Sequence, residues 1–290
     1  MVVHVLHNPS TSRAAQKATR SLIAEFRADG ERVVDISGST ADEASASVAA
    51  ALNRGEIERI VIAGGDGLIH LAIQHLAQTG IPTVIAPVGS GNDFAHAVRE
   101  RDAETDGVGV TTDLIRVTAA DGTLTWVASV AIAGFPAAIN ARANTMGRSW
   151  GSSVYALATV RELPTFTRRR FDISIDGIPV TTDSAMLAIG NTKYFGGGML
   201  PCPDALPDDG IMHLTSIEGV DRRRLLPHLL GRAGGTADRK EVLRGTGQRF
   251  EIETPDIEFW ADGELLGRSP LTFELVPAAL WIEHVTTPSV

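Results

Sequence analysis

Short apolar runs and amphipathic stretches alternate through roughly the first hundred residues. Residues 2–6, 32–36, 57–63 and 83–86 are apolar and largely β-branched, which predicts buried strands. Residues 68–78 have a helical apolar pattern, 42–53 read as an alanine-rich helix, and Ser10, Thr11 and Ser12 can cap a first helix that runs through about residue 28. Strands and helices taken in turn predict a Rossmann-like parallel α/β layer with right-handed crossovers. Beyond about residue 110 the pattern changes. Strand-like runs follow at 113–117, 124–133, 170–175, 178–181, 185–189, 212–216, 249–253, 257–260, 271–276 and 280–285. Turns rich in Gly, Asp and Pro join them, which predicts an antiparallel β-sandwich, interrupted by one helical stretch at 150–163. The domain reading is therefore an α/β domain over 1–112 and a β-sandwich domain over 113–279.

Residues 57–93 hold the strongest local signal. The strand at 57–63 runs into Gly64-Gly65-Asp66-Gly67, and the strand at 83–86 ends in Pro87-Val88-Gly89-Ser90-Gly91-Asn92-Asp93. Two adjacent strands ending in glycine turns suggest a phosphate site at the carboxyl edge of a parallel sheet. Glycine lets backbone N–H groups approach phosphate oxygens, and a helix N-terminus adds partial positive charge. Asp66 and Asp93 would repel phosphate at close range, so they suit a site where a hard divalent cation or its water intervenes.

Composition narrows the classes. The chain has 290 residues, a formal charge of −9 and a single cysteine, Cys202. The acidic balance argues against a general nucleic-acid binder. One thiol excludes an intrachain disulfide and is compatible with a cytoplasmic setting. The first residues lack the basic and apolar regions of a signal peptide, and no apolar run is long enough for a membrane span. Membrane contact is therefore expected to be peripheral only. A homodimer is left open.

Three further segments carry oxygen-rich or glycine-rich turns. Gly196-Gly197-Gly198-Met199 either lets backbone approach a ligand or forms a wide loop. The turn around Asp208-Asp209-Gly210 clusters oxygens that could hold magnesium through one carboxylate, carbonyls and waters, or it is a solvated hairpin turn. Phe259-Trp260-Ala261-Asp262-Gly263-Glu264 reads as a strand ending in an Asp-Gly hairpin turn. His70 and His75 share a helix without a zinc-ligand pattern and read as packing groups. No Walker-type P-loop or nucleophile elbow is present. The basic runs 168–170 and 222–224 read as solvated faces, the second with an option for anionic lipid headgroups.

Gly64-Gly65-Asp66-Gly67 followed by Pro87-Val88-Gly89-Ser90-Gly91-Asn92-Asp93-Phe94-Ala95 resembles the catalytic domain of the diacylglycerol kinase family, in its soluble bacterial lipid-kinase branch. Two family threonines are replaced: Leu68 stands for one and loses the hydroxyl, Ser90 stands for the other and keeps it. Leu71 sits where many members carry glutamate. The resemblance continues through Asn8-Pro9, where the family's following glycine is missing, and through 133–163, 196–211 and 262–264. It implies a nucleotide site of Asn8, Thr40, Gly64, Gly65, Asp66, Gly67, Leu68, Ile69, His70, Ser90, Asn92 and Asp93. Ser37 or Ser39 are alternatives to Thr40. It implies a structural magnesium at Asp209 and the carbonyls of Leu206 and Ile211. Asp262 and Glu264 become the catalytic carboxylates, with Glu264 as base. It also implies that the last strand, near 280–290, returns to the first domain.

Taken together, these readings predict a cytoplasmic, peripherally membrane-associated kinase. It would use ATP and magnesium to phosphorylate the hydroxyl of a diacylglycerol-like lipid. NAD kinase or a related small-molecule kinase is the alternative, since those enzymes share the Gly-Gly-Asp-Gly turn. The loss at Leu68 keeps a third reading in view, a nucleotide- or lipid-binding protein without turnover.

Overall fold

A computed structural model describes residues 1–105, 107–134, 168–218 and 241–286. The chain divides into two units, Met1–Leu114 with Pro277–Val290, and Ile115–Val276. The helical stretch expected at 150–163 and the basic run at 222–224 lie outside the described residues.

The first unit begins with β1 (Val2–His7), α1 (Arg13–Ala28), β2 (Arg32–Asp35) and α2 (Ala41–Asn53). It continues with β3 (Ile60–Gly64), α3 (Asp66–Leu76), β4 (Thr83–Pro87) and α4 (Asp93–Glu104). Next in the chain come β5 (Val110–Ala119), β6 (Leu124–Val127), β7 (Val130–Gly134), β8 (Arg169–Ile175) and β9 (Ile178–Gly190). The series ends with β10 (Met212–Glu218), β11 (Val242–Gly247), β12 (Arg249–Ile252), β13 (Glu258–Ala261), β14 (Glu264–Arg268) and β15 (Leu271–Val285).

In the first unit β2, β1, β3 and β4 pair in that order, all parallel, and residues 282–285 of β15 add a fifth parallel strand beside β4. Val3, Val5, Val61 and Val84 share a buried cluster with Phe26, Leu22 and Ile23 of α1. Leu6, Ile60, Ile62 and Ile85 alternate with those valines and so face the other side of the sheet. Having both faces buried is why these strands read as unbroken apolar runs. Ser12 caps α1 through its hydroxyl, which accepts from Ala15 N–H at 3.2 Å. Ser45 Oγ and His75 Nε2, 2.7 Å apart, link α2 to α3.

The chain enters the second unit within β5 and leaves it within β15. The sequence pattern predicts two strands at 271–276 and 280–285; the structure has one, within which Ala278 takes a left-handed φ of +52°. Asp113 Oδ1 accepts from Ala278 N–H at 2.9 Å and holds that residue.

The second unit is antiparallel throughout its described pairings, with strand order β14-β13-β7-β9-β8-β12-β15 and with β10 and β11 attached through β9. Ala131, Ala133, Leu187 and Ile189 belong to one core with Phe171, Phe250, Phe259 and Phe273. Their neighbours Val130, Ile132, Met186 and Ala188 belong to another with Phe195, Cys202 and Ala205. β7 and β9 are thus covered on both faces, which removes the alternation expected of a half-exposed strand. The strand expected at 124–133 is interrupted at Ala128 and Ser129, and those at 178–181 and 185–189 are one strand.

Candidate active site

Because β2, β1, β3 and β4 are parallel neighbours, the turns that follow them gather at one edge of the sheet. These turns hold Asn8, Thr40, Gly64–Gly67 and Val88–Asn92, so the sequence-expected nucleotide residues of four separate segments share that edge.

The two glycine turns touch backbone to backbone. A Cβ on Gly65 would stand 3.0 Å from the Cα of Gly89, and one on Gly89 would stand 2.8 Å from Asn92 Oδ1. Val88 N–H donates to Gly64 O at 3.2 Å. Asn92, itself left-handed at φ +59°, clamps its own turn: Oδ1 accepts from Gly89 N–H at 3.0 Å and Nδ2 donates to Gly89 O at 2.9 Å. Close approach of two backbone segments is therefore a sufficient reason for Gly65 and Gly89, apart from any phosphate. Asp66 opens α3, and its Oδ1 accepts from Phe94 N–H in the first turn of α4 at 3.2 Å. The carboxylate thus joins two helix N-termini, where negative charge is favoured. Asp93 is buried at the start of α4, Asn92 is partly buried and Ser90 is exposed. Ile69 and His70 are buried on α3, while Gly67 is exposed.

Leu68 lies over Gly64, its Cδ2 2.5 Å and its Cβ 2.7 Å from where a Cβ of Gly64 would stand. The replacement for the family threonine is thus a packing group on the floor of the first glycine turn.

The other two turns are tied to each other. His7 N–H donates to Ser37 Oγ at 2.8 Å, His7 Nε2 lies 3.2 Å from Asp35 Oδ2, and Ser37 N–H donates to Asp35 Oδ1 at 2.9 Å. Burial pushes the Asp35 carboxyl up, but the bonds from Ser37 and His7 outweigh it and leave it below the usual carboxylate value. Asn8 Oδ1 accepts from Ser10 N–H at 2.9 Å. Thr40 is the N-cap of α2, its Oγ1 accepting from Glu43 N–H at 3.2 Å, and Ser39 Oγ donates to Glu43 Oε2.

In the second unit, Asp262 and Gly263 form the two-residue turn of the β13–β14 hairpin, with φ +51° and +90° and with Ala261 opposite Glu264. Two positive φ values fit a primed hairpin turn. Glu264 is exposed, whereas Asp262 is only 7% exposed. The Asp262 carboxylate accepts from Ala128 N–H at 3.1 Å and from the Ser129 hydroxyl. Asn191 fixes that same link: Nδ2 donates to Ala128 O at 3.2 Å and its N–H to Ser129 O at 2.9 Å. Ala128, Ser129 and Asn191 were not among the sequence-derived candidates. The only signal was a serine interrupting an apolar strand, which is uninformative without its partner.

Asp209 folds back on its own turn. Oδ2 accepts from Leu206 N–H at 3.3 Å, Oδ1 accepts from Ile211 N–H at 3.2 Å, and His213 Nε2 lies 3.4 Å from Oδ2. Each carboxylate oxygen can accept a further partner, so the donor set of Asp209 with the Leu206 and Ile211 carbonyls remains compatible with a hard cation. No cluster of three or more His, Cys, Asp or Glu suited to a metal occurs among the described residues. The triple glycine has a backbone cause: Gly196, Gly197 and Gly198 take φ +61°, +87° and +101° inside a closed turn in which Phe195 and Met199 exchange N–H···O bonds of 3.0 Å. Cys202 is buried, and burial pushes its thiol up to about 12, so it is not a nucleophile. Arg168 pairs with Asp183 at 3.5 Å and Arg170 with Asp172 at 3.1 Å, which neutralises much of the first basic run locally.

Comparison with known proteins agrees with this arrangement of segments. Residues 2–108 match the diacylglycerol kinase catalytic domain, and residues 129–284 match the YegS C-terminal NAD kinase beta sandwich-like domain. A diacylglycerol kinase of Mycobacterium tuberculosis is 33% identical over 293 residues, covering 97% of this chain and 94% of that protein. The chain belongs to the diacylglycerol kinase family. Membership makes it a kinase by class. The lipid kinase YegS of Escherichia coli K12 is 29% identical, with 77% of each chain covered. A crystal structure of a diacylglycerol kinase from Bacillus anthracis superposes with a TM-score of 0.69 at 16% identity, covering 99% of this chain and 97% of that one. At that identity the likeness speaks for the fold, an α/β layer plus a β-sandwich. Among the described residues, no helix is long and apolar enough to cross a membrane.

Proposed function

We propose that this kinase transfers the γ-phosphoryl group of ATP, with magnesium, to the hydroxyl of a diacylglycerol-like lipid. The observation that carries the reading is the gathering of the Asn8, Thr40, Gly64–Gly67 and Val88–Asn92 turns at one edge of a parallel sheet. Ligands of open α/β sheets bind at that edge, and helix N-termini there favour anionic phosphate. The reading assigns the phosphate donor to the first unit and the hydroxyl acceptor to the second.

In the reaction, the lipid oxygen attacks the γ-phosphorus, the bond to the ADP oxygen breaks, and the hydroxyl proton goes to a base. Glu264 is our candidate for that base: it is exposed and so accessible to an acceptor. Asp262 is held in place beside it. Magnesium, where bound, would supply charge neutralisation between phosphates and carboxylates. Asp66 and Asp93 are the first-unit residues we assign to its water shell, and Asp209 is a separate, structural candidate. Because the acceptor is a membrane lipid, the protein would work in peripheral contact with a bilayer.

The test is transfer of labelled γ-phosphate to vesicles containing diacylglycerol, with monoacylglycerol, ceramide, sphingosine, phosphatidylglycerol and NAD as separate acceptors. Phosphorylation of diacylglycerol above the others supports the reading. Phosphorylation of NAD alone would move the chain to the nucleotide kinases, and no transfer with intact ATP binding would favour a binding protein.

A further inference from the structure

We propose that Ser129 and Asn191 are positioning residues for the Asp262–Glu264 turn. The inference rests on the kinase reading for what the turn does, and on the second unit's own geometry for how the turn is held.

An Asp-Gly pair closes a two-residue hairpin at the surface without help, because the turn needs only two residues that tolerate positive φ. Here the acid is instead buried, at 7% exposure, while Gly263 beside it in the turn and Glu264 just after the turn stay exposed. A buried carboxylate is costly unless it is hydrogen-bonded. Two donors meet it from a segment more than 130 positions away, Ala128 N–H at 3.1 Å and the Ser129 hydroxyl.

Those donors sit on the short link between β6 and β7, where the ladder is interrupted. Such a link would be free to shift. Asn191, at the end of β9 and fully buried, prevents it by binding both of its carbonyls, Ala128 O at 3.2 Å and Ser129 O at 2.9 Å. The result is a relay of fixed positions from β9 to the 128–129 link to Asp262. Glu264 begins β14 two residues after Asp262, opposite Ala261, so its direction is set by the turn that Asp262 anchors. A base must meet its proton within hydrogen-bond reach, so an unanchored turn loses rate before it loses binding. Both Ser129 and Asn191 act through the turn; neither is assigned a contact with substrate.

The experiment compares wild type with Ser129→Ala, Ser129→Thr and Asn191→Ala in full-length protein. Three quantities are read: kcat and KM for ATP with diacylglycerol vesicles, the thermal midpoint, and hydrogen exchange at the Ala128 amide and across 261–264. Ser129→Ala is expected to lower kcat on the order of 10–10²-fold with KM for ATP unchanged. It should also speed exchange at both segments, and Ser129→Thr, which keeps the hydroxyl, should restore most of the rate. Asn191→Ala should speed exchange at Ala128 in the same direction. Unchanged kcat in Ser129→Ala overturns the proposal, as does a lower thermal midpoint with unchanged kcat per folded molecule. Wild-type protein inactive on every acceptor overturns the kinase reading and the rate half of the proposal with it. That case is recognisable because the exchange data still report whether the relay holds the turn.

Discussion

Gly65 and Gly89 lie backbone to backbone, so that a Cβ on Gly65 would stand 3.0 Å from the Cα of Gly89. The contact joins the turns after two adjacent parallel strands, β3 and β4. It means that a side chain at either position strikes peptide backbone, which cannot rotate away. Gly65→Ala is expected to cost about 1–3 kcal/mol of stability through overpacking. Gly65→Val should cost more, and it should also abolish ATP binding because both loops move. Urea unfolding paired with calorimetric titration of ATP and magnesium separates the two effects. Full stability with lost ATP binding would instead mean that the missing Cβ makes room for phosphate alone.

Leu68 covers Gly64 where the family has a threonine. Leu68→Thr supplies a hydroxyl but removes part of an apolar side chain packed on the glycine turn. If the threonine's role is one phosphate hydrogen bond, ATP affinity should rise by about 0.5–1.5 kcal/mol. A lower thermal midpoint should accompany it. Calorimetry checks the first and a melting curve the second. Unchanged or weaker ATP binding would mean that this chain makes the contact elsewhere.

Much of this edge was legible in sequence, and the reasons are local. The apolar runs of β1, β3 and β4 and the glycine turns behind them are contiguous in the chain, so strand, turn and parallel pairing follow from pattern alone. What pattern could not carry was the reason for particular residues. Asp66 faces the start of α4, Thr40 caps α2, and Gly196–Gly198 are required by three successive positive φ values. The helix α4 and the strands β11 and β14 were not anticipated, because α4 is mostly polar and both strands are short and glycine-containing. The Ser129–Asp262 contact is a long-range side-chain pairing, and nothing at either position announces the other.

Two histidines give the first unit a predictable response to acid. His4 is 2% exposed in β1, and burial holds it below its ordinary value of 6.5. Burial also lowers His75. The unfolded chain therefore binds protons at a pH where the folded one does not. Stability should be fully present above about pH 6.5 and fall as pH drops from there toward the lowered folded values. His4→Leu should flatten part of that slope. Denaturant midpoints from pH 7.5 to 5 make the measurement, and a slope identical to wild type would remove His4 as a contributor.

Asp209 offers a test that distinguishes a turn cap from an ion site. Its carboxylate accepts from the N–H groups of Leu206 and Ile211. Asp209→Ala should lower stability by about 0.5–1.5 kcal/mol per hydrogen bond lost, with or without metal. If magnesium also binds there, wild type should melt higher in magnesium than in EDTA, and the mutant should lose that difference, since an ion bound only to the folded state stabilises it. Equal melting of wild type in magnesium and EDTA would leave Asp209 as a cap only.

The two carboxylates of the β13–β14 turn should separate by how each is held. Glu264 is exposed at the start of β14, and no fold-holding role follows from that position. Glu264→Gln keeps the shape but cannot take a proton. As the assigned base, it should cut kcat on the order of 10²–10⁴-fold. ATP affinity should stay near wild type, and stability should change by no more than about 0.5 kcal/mol, as for ordinary surface substitutions. Asp262 is buried between two donors, Ala128 N–H and the Ser129 hydroxyl. Asp262→Asn can keep the Ala128 N–H bond through its amide oxygen and give its NH₂ to the Ser129 hydroxyl, which can accept, so two charge-assisted bonds become neutral ones. It should cost about 1 kcal/mol of stability as well as rate. The measurements are initial rates against ATP and lipid, calorimetric ATP binding, and urea unfolding for each variant. A rate loss in Glu264→Gln without a stability loss identifies a group that meets the substrate. Near wild-type turnover in that variant removes the assigned base, and loss of ATP binding in it would move the turn into the nucleotide site.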